Sequence, residues 1–109
     1  MKLIGNIPIR IIQGDTYPYI IRFKDPNLAN FISEIWFTSQ ALNIEEKFTY
    51  HKEENVFEYM ITPEKTQCVK PSEYYTYDIT IKLNDDMIIS ETAIPLIVVC
   101  KENPVEEVI

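Results

Sequence analysis

The side chains best suited to covalent or acid-base chemistry in this 109-residue chain are few: one histidine, two cysteines, four serines and a scatter of carboxylates. His51 stands beside Glu53 and Glu54. With no second histidine to complete a metal site or a nucleophilic triad, it reads as a solvated side chain near a hairpin tip. Cys68 and Cys100 lack a CxxC neighbour, which removes zinc ribbons and dithiol redox chemistry. Asp85 and Asp86, with Asp78, could meet calcium in an inter-strand loop, but the EF-hand spacing is absent and an acidic turn is the simpler reading. Phosphate cradles need glycine where backbone approaches the anion; Gly5 and Gly14 are the two glycines, and neither precedes a helical pattern. Ser33, Ser39, Ser72 and Ser90 lack a nucleophile elbow, and Glu34, Glu45 and Glu91 are not paired by any motif. No catalytic, cofactor-binding or metal-binding residue is assigned, and the chain reads as non-enzymatic.

Composition narrows the remaining classes. Ten basic against seventeen acidic residues give a net charge of -7, the wrong sign for tracking a phosphate backbone or an anionic bilayer. Basic residues form no stripe interleaved with aromatics, so nucleic acid is not an expected partner. A hydrophobic fraction of 46% is too high for disorder, and no apolar run approaches the roughly 20 residues of a membrane span. The expectation is one soluble domain over residues 1–109, ending in a short tail at about 102–109. Neither terminus reads as an address, so the chain is expected to be made in a cytoplasm without a signal peptide. In that reducing compartment the two cysteines are expected to be free thiols acting as small apolar fillers.

The elements that must position these residues are strands. Eighteen Ile, six Val and eight Thr outnumber five Leu and three Ala, which favours a pleated backbone over a helical one. Alternating runs separated by turn clusters predict strands at 7–12, 16–23, 34–40, 48–51, 56–62 and 74–83. A final run begins at Met87, and Pro95 is expected to kink or split it before Leu96 to Cys100. Pro18 places the second strand at an edge or a bulge. Thr62-Pro63-Glu64 reads as the start of one helical turn near 63–67, and Asn84-Asp85-Asp86 as a hairpin turn able to take positive φ without glycine.

No helical pattern is long enough for a parallel crossover, so the sheets are expected to be antiparallel. The fold class is all-β, an immunoglobulin-like antiparallel β-sandwich of seven or eight strands; a small closed barrel is the runner-up. Trp36 falls on the third strand, where such domains bury a tryptophan, and Tyr75, two residues before inward Tyr77, matches their tyrosine corner. The usual disulfide does not fit, because Trp36 precedes both cysteines.

Surface residues then carry the functional expectation. If Trp36 faces inward, Ile35 and Phe37 face outward, and Ile20 does so when Tyr19 and Ile21 are inward; the opposite register of the third strand satisfies alternation equally well. Candidate interface residues are Ile20, Ile35, Phe37 and Tyr74, with edges at Ile7 to Ile12 and Leu96 to Cys100. An alternative is a ligand- or glycan-binding module using Tyr17, Trp36 and Tyr74 as stacking platforms.

Three segments also carry a resemblance: Ile11-Ile12-Gln13-Gly14-Asp15-Thr16-Tyr17-Pro18-Tyr19, Ile61-Thr62-Pro63-Glu64-Lys65-Thr66 and Pro71-Ser72-Glu73-Tyr74-Tyr75-Thr76-Tyr77-Asp78-Ile79. Together they resemble small phage and prophage proteins, which are similar to the immunoglobulin-like N-terminal domain of phage baseplate upper proteins. The pattern departs from that family at Ser72-Glu73, where a glycine is usual, and at Asn84-Asp85-Asp86, which replaces an Asp-Gly turn. The resemblance implies a structural or assembly component of a tail, baseplate or capsid, whose partners are other phage structural proteins or copies of itself.

Overall fold

Period-2 burial marks most of the eight strands in the computed structural model, which describes residues 7–100. They are β1 (Ile9–Ile12), β2 (Tyr17–Ile21), β3 (Ile32–Ser39), β4 (Ile44–Lys47), β5 (Thr49–His51), β6 (Val56–Ile61), β7 (Glu73–Leu83) and β8 (Ile88–Val99). A five-stranded sheet runs β1-β8-β7-β3-β4, and a three-stranded sheet runs β2-β6-β5. Strands distributed between two sheets in this order give an immunoglobulin-like sandwich with an extra strand beyond the third. The tail expected over 102–109 lies outside the described residues.

Tyr19 and Ile21 of β2, and Phe57, Tyr59 and Ile61 of β6, are buried on one side of the core. Ile11, Ile35, Phe37, Tyr77, Ile79, Ile81, Leu96 and Val98 of the larger sheet are buried on the other. At the centre the Phe37 ring stacks on Tyr77, with centroids 5.0 Å apart and planes 8° apart, while Tyr19 meets Tyr77 edge-on at 5.7 Å. The Tyr19 and Tyr77 hydroxyls lie 2.8 Å apart, and Tyr77 donates its proton to the Ile7 carbonyl at 2.6 Å. A hydroxyl has one proton, so Tyr19 is the donor to Tyr77. This pair bridges the sheets at the level where immunoglobulin domains place their disulfide, two residues after the corner tyrosine.

That corner forms as expected: Tyr75 Oη donates to the Lys70 carbonyl at 2.8 Å. Before it, α1 (Pro63–Thr66) is one helical turn, although Thr62 makes no side-chain cap. The Gln13 amide donates to the Thr66 and Val69 carbonyls at 3.0 and 3.1 Å, and the Gly14 N–H meets Thr66 Oγ1 at 3.4 Å. Gly14 adopts φ 90°, open to glycine alone at low cost, and a Cβ there would meet nothing; its role is conformational. The motifs behind the resemblance thus brace one another at one end of the sandwich.

Several expectations need correction. β1 pairs with β8 in parallel, so the sheet is not wholly antiparallel; as first and last strands they have the whole domain as their connection. The same pairing covers Leu96 to Val99, which is therefore no edge, whereas β1 is. Pro95 sits within a continuous β8, and the interruption falls at Ala93, whose φ is 54°. There Tyr77 pairs with Ile94 but Ile79 with Glu91, and Asp78 Oδ1 accepts the Ala93 N–H at 2.8 Å. This is a bulge of two residues against one. A 3-10 helix (Pro26–Phe31) occupies a stretch read only as polar, and β4, with the single buried residue Ile44, was unforeseen. Pro18 does lie on an edge strand, β2.

The central pair makes an asymmetric stability prediction. Tyr77→Phe strips a partner from both the buried Tyr19 hydroxyl and the Ile7 carbonyl and should cost about 2 kcal/mol; Tyr19→Phe leaves the Tyr77 bond to Ile7 intact and should cost about 1 kcal/mol. Urea midpoints of the two variants should fall in that order, and equal losses would contradict the directed chain.

Burial raises the pKa of Tyr19, Tyr59 and Tyr77 above the ordinary value of 10.0. In the unfolded chain these groups ionise first, so the native state holds more protons above pH 10. Their stabilisation should be fully present below pH 10 and drain away as pH rises towards the folded values. Denaturant midpoints between pH 8 and 11.5, with phenolate absorbance, test that sign.

Candidate functional site

The residues weighed for chemistry stay apart. His51 Nε2 pairs with Glu58 Oε1 at 3.2 Å across the β5–β6 hairpin. Asp78 is engaged by the Ala93 amide, while Asp85 Oδ1 caps the Met87 N–H at 3.1 Å on the β7–β8 turn, so these acids do not converge. Ser39 is buried, its hydroxyl donating to the Thr76 carbonyl at 3.0 Å and accepting from the Leu42 N–H, which makes it a strand-end brace. Cys68 and Cys100 are free and exposed, so neither is the apolar filler expected of it. Among the described residues no group of three metal-ligating side chains occurs, and no helix is long and apolar enough to cross a membrane. A surface depression of 270 Å³ beside Thr38, Asn43 and Glu45 is below the size of common small-molecule sites.

The third strand settles the choice of register. Ile35 and Phe37 are fully buried, so neither contributes to an interface, and Trp36 is half-buried on the outer face. A bulge between Ile32 and Glu34 shifts the phase, so Ile32 is buried as well as Ile35, three residues on. Trp36 Nε1 donates to Glu34 Oε2 at 3.0 Å, and Lys47 Nζ sits 5.8 Å from its ring centroid and 3.8 Å from the same carboxylate oxygen. Such an exposed cluster is worth little in stability, but it keeps the indole fixed against the sheet.

Ile20 and Tyr74 are exposed, at 52% and 77%, yet they belong to different sheets and do not form one surface. Ile20 shares the outer face of the small sheet with Pro18 and Met60, paired across β2 and β6. Tyr74 lies opposite Ile97.

A third group gathers at the opposite end from the braced turns. Phe31, Met87 and Ile88 are 62%, 54% and 63% exposed. The Phe31 carbonyl accepts the Asn84 N–H at 2.9 Å, Asn84 Nδ2 donates to the Asn30 carbonyl at 2.7 Å, and the Leu83 N–H donates to the Met87 carbonyl at 2.9 Å. These bonds hold the segment before β3 against the β7–β8 hairpin. Asp86 closes that hairpin with φ 67°, as the Asn84-Asp85-Asp86 turn foretold. Asn55, from the β5–β6 turn, joins the same end through a 3.2 Å bond to the Pro26 carbonyl. Sequence reasoning missed this group, although adjacent Ile88 and Ile89 on an alternating strand oblige one of them to face outward.

No family model matches the chain, and no curated protein matches it. Among solved structures it is similar to extracellular domains 3–5 of Drosophila OTK, at 13% identity and a TM-score of 0.39, over 88% of this chain and 32% of that one. The sandwich assignment rests on the strand order above.

Substitutions on the two classes of position should separate sharply. Met87→Lys and Ile88→Lys should change stability by less than about 0.5 kcal/mol, whereas Phe37→Ala should cost about 3–5 kcal/mol. Chemical denaturation of the three variants decides the register independently.

Proposed function

We propose that this protein is a non-enzymatic structural or assembly component of a phage or prophage particle, acting through protein–protein contacts. The observation that carries the contact reading is the concentration of Phe31, Met87 and Ile88, large apolar side chains left open at one end of the sandwich. Monomers seldom leave such groups together without a partner to cover them. The end concerned is the one at which immunoglobulin variable domains carry binding loops, an analogy of fold and not of descent. The particle setting is supported by the motif resemblance at Gln13 to Thr16, Thr62 to Thr66 and Tyr74 to Ile79. Tail, baseplate and capsid sites all fit it. On this reading the chain is made in the bacterial cytoplasm and joins the virion by assembly, with other structural proteins or copies of itself as neighbours.

Glycan binding draws less support. Tyr17 lies on an edge strand of the small sheet, while Trp36 and Tyr74 belong to β3 and β7, so these rings form no common platform.

Particles purified by density gradient from an induced lysogen encoding this chain should contain it at fixed stoichiometry by quantitative mass spectrometry. Its absence from washed particles overturns the particle reading.

A further inference from the structure

β8 has two unlike halves. From Leu96 to Val98 it is flanked by β7 and by β1, but over Ile88 to Glu91 only β7 accompanies it among the described residues. The direction of the open hydrogen-bonding groups follows from the hairpin. Leu83 and Met87 form a hydrogen-bonded pair through the 2.9 Å bond, so Ile81–Ile89 and Ile79–Glu91 are the next such pairs along an antiparallel ladder. Ile88 and Ser90 alternate with them, and their N–H and C=O groups point away from β7 to the open side.

Sheet edges are commonly blunted by lysine, proline, a bulge or an inward-pointing charge. Here Ile88 to Thr92 contains neither lysine nor proline, and the bulge at Ala93 comes only after it. One charge interrupts the segment. Glu91 pairs with buried Ile79, on the core-facing side of the strand, and is itself half-buried. No side-chain hydrogen bond or ion pair joins its carboxylate to another described residue. Its carboxylate oxygens stay within reach of water, and a cation brought alongside would add a charge-assisted hydrogen bond.

We infer that the open half of β8 is a docking site for an extended, basic segment of a partner protein, which adds as a strand beside Ile88–Thr92 and sets a lysine or arginine against Glu91. Backbone groups of Ile88 and Ser90 supply register, Glu91 supplies selectivity, and the exposed Ile88 side chain offers apolar contact. Charge argues against a second copy of this chain. Each copy carries a net charge of -7, and two β8 edges paired about Ser90 would bring both Glu91 carboxylates to neighbouring ladder positions. This deepens the contact reading above by naming the edge and the partner's chemistry, and it does not require that the partner be viral.

The test uses a random dodecapeptide display library selected on the immobilised full chain. Enriched peptides should place Lys or Arg within a β-branched stretch, and binding should slow hydrogen exchange at the Ile88 and Ser90 amides. Ser90→Pro removes an N–H that β7 does not use and a 3.5 Å exposed hydroxyl contact with Thr80, so it should leave the denaturant midpoint close to wild type yet weaken these peptides about tenfold or more. Glu91→Lys should weaken them similarly and should favour the same peptides with Glu in place of Lys. Four results would overturn the inference: no enriched peptide; equal binding to Ser90→Pro; Ile88 and Ser90 amides already protected in the dilute free chain, as residues 1–6 lying on the edge would cause; or protection that grows with protein concentration, as a second copy would cause. Peptide binding together with absence from particles would remove the viral setting and leave the docking edge standing.

Discussion

Two tyrosine hydroxyls 2.8 Å apart join the two sheets at the level where related architectures use a covalent bridge. The interaction is weaker than a disulfide, but it has direction. Tyr19 on β2 donates to Tyr77 on β7, and Tyr77 passes its own proton to the Ile7 carbonyl just before β1. One chain of two bonds therefore links both sheets and also fixes where the closing parallel strand begins. The Phe37 ring, stacked on Tyr77, fills the place a buried tryptophan would take and helps keep water from the pair. With no buried side-chain polar atom left unpaired among the described residues, the arrangement is polar yet complete.

The two ends of the sandwich are built differently. At one end, the Gln13 amide donates to the Thr66 and Val69 carbonyls, the Gly14 N–H donates to Thr66 Oγ1, and Tyr75 closes its corner on the Lys70 carbonyl. Such bonds order a loop without exposing apolar surface. At the other end the loops are joined by Asn55 and Asn84, and large apolar side chains remain open beside them. The asymmetry divides labour: one end stabilises and the other presents. The shortness of β1 adds to the presenting end, because among the described residues its four paired positions cover only the final third of the twelve-residue β8.

Much of this was legible in the residues. Alternation in Tyr75, Tyr77, Ile79 and Ile81, the proline at 18 and the turn at Asn84-Asp85-Asp86 each report a local constraint, and local constraints survive folding. What escaped depended on how segments pair with one another. Ile44-Glu45-Glu46-Lys47 has too little apolar character to signal a strand, and it becomes one by pairing with Trp36 to Ser39. The register of β3 was ambiguous because Ile35 and Phe37 on one face and Trp36 on the other are all apolar, and the bulge that buries Ile32 as well as Ile35 lies outside the alternating run. The parallel pairing of the first strand with the last has no local signature. Two of the four candidate interface residues, Ile35 and Phe37, fell with the wrong register, and the exposed group at Phe31, Met87 and Ile88 went unseen because its members meet only through the β7–β8 hairpin.

The placement of Trp36 has an optical consequence. It is the single tryptophan of the chain, and its indole rests on the outer face of β3 beside Glu34 and Lys47, outside the aromatic core. Light absorbed by this residue samples the skin of the larger sheet, while near-ultraviolet dichroism from the packed tyrosines samples the interior. The two spectroscopic channels are therefore separable: occupancy of the outer face can be followed in emission while the integrity of the core is read from the tyrosine bands.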